Sequence, residues 1–312
     1  MNTITNANTN TNVKEKEKEK EKEKTILIVS GGGIKGLAGL GAISYLIDNK
    51  IISFPKIFAG SSVGAIICFL INIGYHPKDI YDILEQIDFT KLIKYVEPED
   101  LLVEPCFGLS TPEPILQSIY SFMKKKNIKK NITFKELFEQ TNSKLIITGT
   151  CINNVELVYF SYDTYPNMPI LKALRISISI PFIFRPYMFE GKLWVDGSCM
   201  NNFPIELFDP DDLDKVIGVY LDDKYDGLDE IEEIQDYFHR IFKCVFRGLN
   251  YNKILKYKKY LIDIITTNVK KSESVNGSTG TNWDLSIDDK KILFDTGYFY
   301  AREYVESNKN FK

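Results

Sequence analysis

The chain has 312 residues, 44% of them hydrophobic and 26% charged, which is enough to bury the core of one large folded domain. A formal net charge of −3 argues against nucleic-acid binding through bulk electrostatics. The five cysteines are widely spread and there are only two histidines, so we expect free thiols and no metal site.

The first 24 residues are rich in Asn and Thr and then alternate Lys with Glu, so they have nothing to bury. We expect a disordered low-complexity tail over 1–24 and a folded domain over 25–312. No secretory signal is visible, and the longest apolar stretch, 65–73, is too short to span a bilayer. The sequence therefore predicts a cytoplasmic or otherwise intracellular protein whose only membrane contact would be peripheral.

The first predicted elements alternate between strand and helix. Short apolar runs at 26–30 and 56–59 predict buried strands. Each run is followed by glycines and then by a segment with helical apolar spacing, the second of them at 62–74. This order is typical of a parallel sheet whose strands are joined by crossover helices.

The rest of the chain continues the mixed pattern. Residues 77–140 are predicted to be mostly helical, and the later predicted elements are strands at 144–152 and 156–162, a helix at 170–177, two strand pieces within 187–197, a strand at 215–221, helices at 230–260 and 287–306, and a polar loop at 270–284. We therefore predict an α/β fold with a parallel-dominated central sheet flanked by helices. Its chemistry-bearing part covers about 25–222, and about 223–312 forms a helical C-terminal part.

The turn after the first strand reads ILIVSGGGIKG, and Gly31, Gly33 and Gly36 fit the spacing of a dinucleotide-binding turn. That interpretation requires an acidic residue at the tip of the next strand to hold the ribose. The next strand instead ends in Gly60 and Ser61, and no Lys follows Gly36 as a P-loop would need. Nucleotide binding stays an alternative, but its required partner residues are missing.

The turn after the second strand has more specific chemistry. Residues 60–64 read G-x-S-x-G between a strand and a helix, which is the context of a nucleophile elbow. A nucleophilic serine must protrude from a tight, strained turn, and Gly60 and Gly64 leave room for it. The helix that follows directs its N-terminal amides toward the Ser62 oxygen.

Ser62 needs a base, and the sequence offers two. His239 is the only histidine that follows a plausible acid, but it lies in a strongly helical pattern, whereas a triad histidine normally lies on a loop. Asp196 closes an apolar strand and precedes Gly197, which places a carboxylate at a strand tip. A Ser-His-Asp esterase and a histidine-free enzyme both remain open at this point.

Taken together, five short blocks of the chain resemble the patatin-like phospholipase family. Gly31 to Gly36 match its triple glycine, basic residue and glycine, and Gly60 to Gly64 match its G-x-S-x-G block. The further matches are Ser177 and Pro181 for Ser-x-x-x-Pro, Asp196 and Gly197 for Asp-Gly, and Asn202 and Pro204 for Asn-x-Pro. Ser198 departs from the family, which usually has Gly or Ala there, but it is small enough for the turn to survive.

The resemblance implies a three-layer α/β/α lipid acyl hydrolase of the phospholipase A type. Ser62 would be the nucleophile and Asp196 the general base, and no metal or other cofactor would be needed. The backbone amides of Gly31, Gly32 and Gly33 would form the oxyanion hole, with the charge of Lys35 nearby. The implied partner is a phospholipid or other glycerolipid, cleaved through an acyl-enzyme to release a fatty acid. A catalytically silent lipid-binding relative is a further alternative.

The predicted helix at 230–260 combines apolar residues with many Lys and Arg. A basic amphipathic helix can lie on an anionic membrane. Any helix packed on a sheet also shows an apolar face, so the sequence favours a core helix over a membrane-contacting one.

Overall fold

The computed structural model describes residues 23–92, 94–95, 107–222, 234–266 and 284–308. Within these ranges, the side chains of residues 94, 95, 109, 234–236, 238, 239, 242 and 243 are not described. The predicted tail over 1–24 lies outside the described residues except for its last two, and so does the predicted polar loop over 270–284 except for its last residue.

The strands of the described part are β1 Ile26–Val29, β2 Ile57–Gly60, β3 Lys94–Tyr95, β4 Gly108–Thr111, β5 Lys144–Cys151, β6 Glu156–Phe160, β7 Phe182–Phe184, β8 Tyr187–Phe189, β9 Lys192–Asp196, β10 Val216–Asp222 and β11 Leu261–Ile265. The helices are α1 Gly36–Asp48, α2 Val63–Asn72, α3 Pro77–Glu85, α4 Glu113–Lys125, α5 Phe134–Thr141, α6 Ile170–Ser177, α7 Ile234–Tyr257 and α8 Ile287–Ser307.

The main sheet has the order β11-β10-β1-β2-β5-β9-β8, with β6 paired to β5. Its neighbours from β11 to β5 all pair in parallel, whereas β6, β8 and β9 pair antiparallel. Helices flank this mostly parallel sheet, so the predicted α/β architecture is confirmed. Because β1 and β2 are parallel neighbours, the turns that leave them meet at one edge of the sheet.

Successive side chains of β1 point to opposite faces of the sheet, as the two-residue period of a strand requires. Leu27 and Val29 belong to the larger core cluster, which includes residues of α1, α2, α3 and α8. Ile26 and Ile28 belong to a second cluster with Phe203 and with Tyr257 at the end of α7. The strand is therefore buried on both faces, which explains its unbroken apolar sequence.

The C-terminal helix α8 packs on α1. Its start is stabilised by a capping box, in which Ser286 accepts from the amide of Asp289 and the Asp289 side chain accepts from the amide of Ser286. Further along, the helices cross closely: a Cβ added to Gly297 would lie 1.7 Å from the Ala38 carbonyl oxygen.

Two expectations from the sequence need correction. Residues of the segment 77–140 contribute to a small second sheet, β3-β4-β7, which the predominantly helical prediction missed. The prediction that α7 is a core helix is wrong for its described apolar face, because the side chains at 241, 245, 249 and 255 are exposed. Among the described residues, no helix is both long enough and apolar enough to cross a bilayer.

Candidate active site

The glycine turn connects β1 to α1 through a short 3-10 turn at Gly33–Lys35. Gly32 is extended, with φ of 169°, and Gly33 has φ of 56°, a left-handed conformation that favours glycine. Neither the Gly32 amide nor the Gly33 amide donates a hydrogen bond to any of the described residues. The turn therefore presents two uncommitted backbone donors at a helix start, which is a favourable position for negative charge.

The amide of Gly31 behaves differently from the other two. It donates to Oδ1 of Asn202 at 2.8 Å, and Nδ2 of Asn202 donates back to the Gly31 carbonyl at 3.4 Å. This pairing holds the glycine turn against the loop that follows β9. The predicted donor set of Gly31, Gly32 and Gly33 is therefore reduced to Gly32 and Gly33 in this conformation.

Ser62 occupies the turn between β2 and α2 in a strained backbone conformation, with φ of 52° and ψ of −128°. Such values are rare for a residue with a side chain and persist only when the surrounding structure enforces them. The two flanking glycines make the turn sterically feasible. A Cβ on Gly60 would lie 2.5 Å from the Ala65 nitrogen, and one on Gly64 would lie 2.2 Å from the Val29 carbonyl oxygen.

Substitution of Gly64 by Ala is expected to destabilise the protein by at least about 2 kcal/mol, because β1 backbone must move to admit the methyl group. Gly248→Ala is the matched control. No atom lies within 4 Å of the added Cβ there, and Ala is the better helix former, so we expect stabilisation of up to about 1 kcal/mol. Urea unfolding of both variants measures the difference, and equal stabilities would contradict the predicted crowding.

The Ser62 backbone is also held from the neighbouring helix α6. Its amide donates to Oγ of Ser177, the last residue of that helix, at 3.0 Å, and Ser177 is fully buried. This hydrogen bond explains why position 177 carries a small polar residue. Ser177 thus contacts the Ser62 turn directly, and the sequence indicated this serine only through the family resemblance.

Asp196 ends β9 and is 2% exposed. Its carboxylate accepts a hydrogen bond from the Ser198 amide at 2.8 Å. Burial raises the pKa of Asp196 to about 6, and the nearby Ser62 side chain and the Ser198 amide oppose that rise. The site therefore pairs a buried carboxylate with the hydroxyl of a strained serine.

A chain of hydroxyl groups runs beneath this pair. Thr148 donates to Ser61 Oγ at 2.7 Å, Ser61 and Ser198 share a hydrogen bond of 3.0 Å, and Ser198 donates to Asn202 Oδ1 at 2.9 Å. Asn202 in turn accepts from Gly31, so the chain connects β5 to the glycine turn. The departure at Ser198 leaves the turn intact and adds a hydroxyl to this network.

The remaining motif residues lie around the same centre. A Cβ on Gly36 would lie 2.5 Å from Cγ2 of Val63, and one on Gly197 would lie 2.1 Å from Oγ1 of Thr148. Gly36 therefore permits close packing of α1 against the start of α2, and Gly197 permits close packing of the turn after β9 against β5. Lys35 lies in the 3-10 turn before α1, on the same segment as the two uncommitted amides.

An apolar cavity of about 130 Å³ opens at Ser62 and extends along α2. Its wall follows one face of that helix through Ile66 and Leu70, about 12 Å from Ser62 at 1.5 Å per residue. Residues of α3 and α4, among them Ile80, Ile119 and Phe122, complete it. Its apolar lining suits a hydrocarbon chain.

Three features of the site were not predicted from the sequence: the hydroxyl groups of Ser61 and Thr148, the hydrogen bond from the Gly31 amide to Asn202, and the cavity. Each depends on segments far apart in the chain, and small polar residues near Ser62 were the one available signal. The side chain of the alternative base, His239, lies outside the described part of the chain. Among the described residues, no cluster of three His, Cys, Asp or Glu side chains could hold a metal ion.

A family model described as patatin-like phospholipase matches residues 27–209, more than half of the chain. An uncharacterized protein of Acanthamoeba polyphaga mimivirus is 33% identical over 89% of this chain and 93% of its own length. A probable lipid hydrolase of Invertebrate iridescent virus 6 is 38% identical over 58% of this chain and 62% of its own. A triacylglycerol lipase of Schizosaccharomyces pombe is 26% identical over 58% of this chain and 41% of its own.

Two solved structures share the fold. VipD from Legionella pneumophila superposes with a TM-score of 0.57 at 19% identity, over 91% of this chain and 67% of VipD. The type III effector ExoU superposes with a TM-score of 0.53 at 14% identity, over 91% of this chain and 53% of ExoU. At these identities the likeness concerns the fold of the chain alone.

Proposed function

Since the chain belongs to the patatin-like phospholipase family and is a lipid ester hydrolase, we propose that it cleaves fatty-acyl esters of phospholipids or other glycerolipids through a Ser62–Asp196 dyad. The observation that carries this proposal is the proximity of the buried Asp196 carboxylate to the side chain of the strained Ser62, which also lines an apolar cavity.

In the first half of the reaction, Oγ of Ser62 attacks the ester carbonyl carbon while Asp196 accepts the hydroxyl proton. The carbonyl oxygen gains negative charge, which the amides of Gly32 and Gly33 stabilise. Collapse of this intermediate expels the alcohol of the glycerolipid, which takes the proton from Asp196. The acyl group is left as an ester on Ser62.

In the second half, water attacks the acyl-enzyme and Asp196 accepts a proton from that water. The same two amides stabilise the second oxyanion, and Ser62 leaves with the proton returned by Asp196. The products are a free fatty acid and the regenerated enzyme. The hydrocarbon chain occupies the apolar cavity throughout, so release of the acid resets the site.

The cavity and the relatives support the proposed substrate class. An apolar cavity suits a fatty-acyl chain, and the names of the relatives are those of a probable lipid hydrolase and triacylglycerol lipases. Substrates of this class reside in bilayers or lipid droplets, so peripheral contact with a lipid surface is part of the proposal.

A fluorophosphonate probe tests the proposal, because it labels only an activated serine. We expect labelling of the wild type at Ser62, identified by peptide mass spectrometry, and none in Ser62→Ala. Ser61→Ala serves as a control from the neighbouring position, where the side chain is fully buried, and it should still be labelled at Ser62. Absence of labelling in the folded wild type would refute the dyad and favour a catalytically silent relative.

The Ser-His-Asp alternative has its own test. Under the proposed mechanism, His239→Ala keeps labelling and ester hydrolysis near wild-type levels. A large loss of kcat in a folded His239→Ala protein would instead favour the alternative base. The nucleotide-binding alternative gains no support, since the tip of β2 holds Ser62 rather than an acid.

A further inference from the structure

Helix α7 exposes an apolar face to solvent. Ile241, Val245 and Leu249 recur every four residues, and Leu255 continues the same side, with exposed fractions from 42% to 56%. Tyr237 and Tyr251 lie within the same arc, which spans about 160° of the helix at 3.6 residues per turn. This is the reverse of an ordinary surface helix, which turns its polar side outward.

The opposite side of α7 is fixed to the protein. Tyr257 and Asn250 are buried, and Nζ of Lys253 lies 3.0 Å from Glu206 Oε1 and donates to Asn201 Oδ1 at 2.7 Å. The side chain of Lys253 is only 12% exposed, whereas that of Glu206 is 42% exposed, so the lysine end of this ion pair is sheltered from water. Because these contacts set the rotation of the helix, the apolar face cannot turn inward.

The charge of α7 differs from that of the whole chain. Its sequence contains five Lys and Arg and one Asp, whereas the chain has a net charge of −3. Arg247 and Lys256 are exposed. At 3.6 residues per turn, Arg247 lies about 40° beyond the edge of the arc at Tyr251, and Lys256 lies near the other edge, between Val245 and Leu249. An apolar face with exposed cations beside it is the arrangement of a helix that lies in the plane of an anionic membrane.

We propose that the exposed face of α7 docks this protein on an anionic lipid bilayer, with Ile241, Val245 and Leu249 inserted among the acyl chains and Arg247 and Lys256 against anionic headgroups. This inference rests on the proposed function, since a lipid hydrolase must reach substrate held in such a surface. Lys253 also joins α7 to Asn201, and the adjacent Asn202 accepts from the Gly31 amide of the glycine turn, so the docked helix is connected to the site.

Vesicle flotation tests the docking surface apart from catalysis. The Ser62→Ala protein is mixed with phosphatidylcholine vesicles that contain or lack phosphatidylserine. We expect binding that depends on phosphatidylserine and weakens with added salt. Ile241→Glu combined with Leu249→Glu should weaken binding at least about tenfold, because two inserted apolar side chains are replaced by acids.

The matched control is Ile292→Glu, on α8. Ile292 and Ile241 are both 42% exposed, so the two substitutions are equally accessible to solvent. Ile292→Glu should bind vesicles as the parent protein does, and circular dichroism confirms that each variant is folded. Arg247→Glu should lower binding only to vesicles that contain phosphatidylserine.

Two outcomes would overturn the proposal. One is vesicle binding that is unchanged in the α7 double variant, and conversion of a dimer to a monomer by that variant would then identify the face as a dimer interface. The other is a loss of vesicle binding in Ile292→Glu equal to that in the double variant. Hydrolysis of p-nitrophenyl butyrate by the Ser62-containing protein separates the two proposals. If wild type fails on this soluble ester, the proposed function fails while flotation still reports docking. If both proposals hold, the α7 double variant should hydrolyse vesicle lipid more slowly than the wild type, while its hydrolysis of the soluble ester stays unchanged.

Discussion

Replacement of Asp196 by Asn is expected to lower kcat for ester hydrolysis by about 10³-fold, because the amide cannot accept the Ser62 proton. Asn has nearly the same shape and still offers an oxygen to the Ser198 amide, so the turn should persist. In the wild type, activity should fall about tenfold per pH unit below pH 6, where Asp196 becomes protonated. Stopped and continuous assays with a soluble ester between pH 4 and 8 measure both effects.

The same substitution is expected to stabilise the protein above pH 6. The folded-state pKa of Asp196, about 6, lies above its ordinary value of 3.8, so stability from this group is full below pH 3.8 and is lost as pH rises through 6. For this fully buried group the loss amounts to about 3 kcal/mol. In urea unfolding, the free energy of unfolding of Asp196→Asn should therefore increase relative to that of the wild type between pH 4 and 8.

The exposed carboxylate of Asp82 provides a control, and Asp82→Asn should change neither kcat nor the pH trend. An Asp196→Asn protein that keeps wild-type kcat would contradict the role of Asp196 as base. A variant that loses activity and is also less stable at pH 8 would show that Asp196 acts mainly through its hydrogen bonds.

Replacement of Ile66 by Trp is expected to shorten the acyl chain that the enzyme accepts. Ile66 lines the cavity one helical turn from Ser62 and is half-buried, so the larger ring can occupy the open space. Each methylene excluded from an apolar site costs about 0.8 kcal/mol, or roughly fourfold in kcat/KM. The ratio of kcat/KM for p-nitrophenyl palmitate to that for the butyrate should fall at least about tenfold.

Ile66→Leu keeps the side-chain volume and should leave that ratio within about twofold of wild type. An equal loss on both esters would mean that the Trp disturbs Ser62 itself rather than the path of the chain. An unchanged ratio would place the acyl chain outside this cavity.

Much of the fold could be predicted from local pattern. The strands at β1, β2 and β10 are short apolar runs, and each was predicted to within a few residues because burial on both faces leaves a mostly apolar sequence. The strand β11 was missed, since LIDII directly follows the helical pattern of α7 and carries no turn signal of its own. The interpretation of α7 as a core helix was wrong because periodicity reports an apolar face without reporting what covers it.

The sequence by itself determined the chemistry available to this protein. Glycines at 31–33, 60 and 64, a serine at 62 and a carboxylate at 196 are residue types whose spacing indicates an anion-binding turn and a nucleophile elbow. Spacing is a local property, so it identified these turns separately. It left open which base serves Ser62, and it treated the three amides of the glycine turn as equivalent.

Only the tertiary structure decided how these parts meet. Gly60 pairs with Ile147 and Gly149 pairs with Asp196, so sheet register places the carboxylate level with the position two residues beyond Gly60, which is Ser62. Burial then raises the pKa of Asp196, and Asn202 occupies the amide of Gly31. Register, burial and long-range pairing arise from residues far apart in the chain, and for that reason no local pattern contains them.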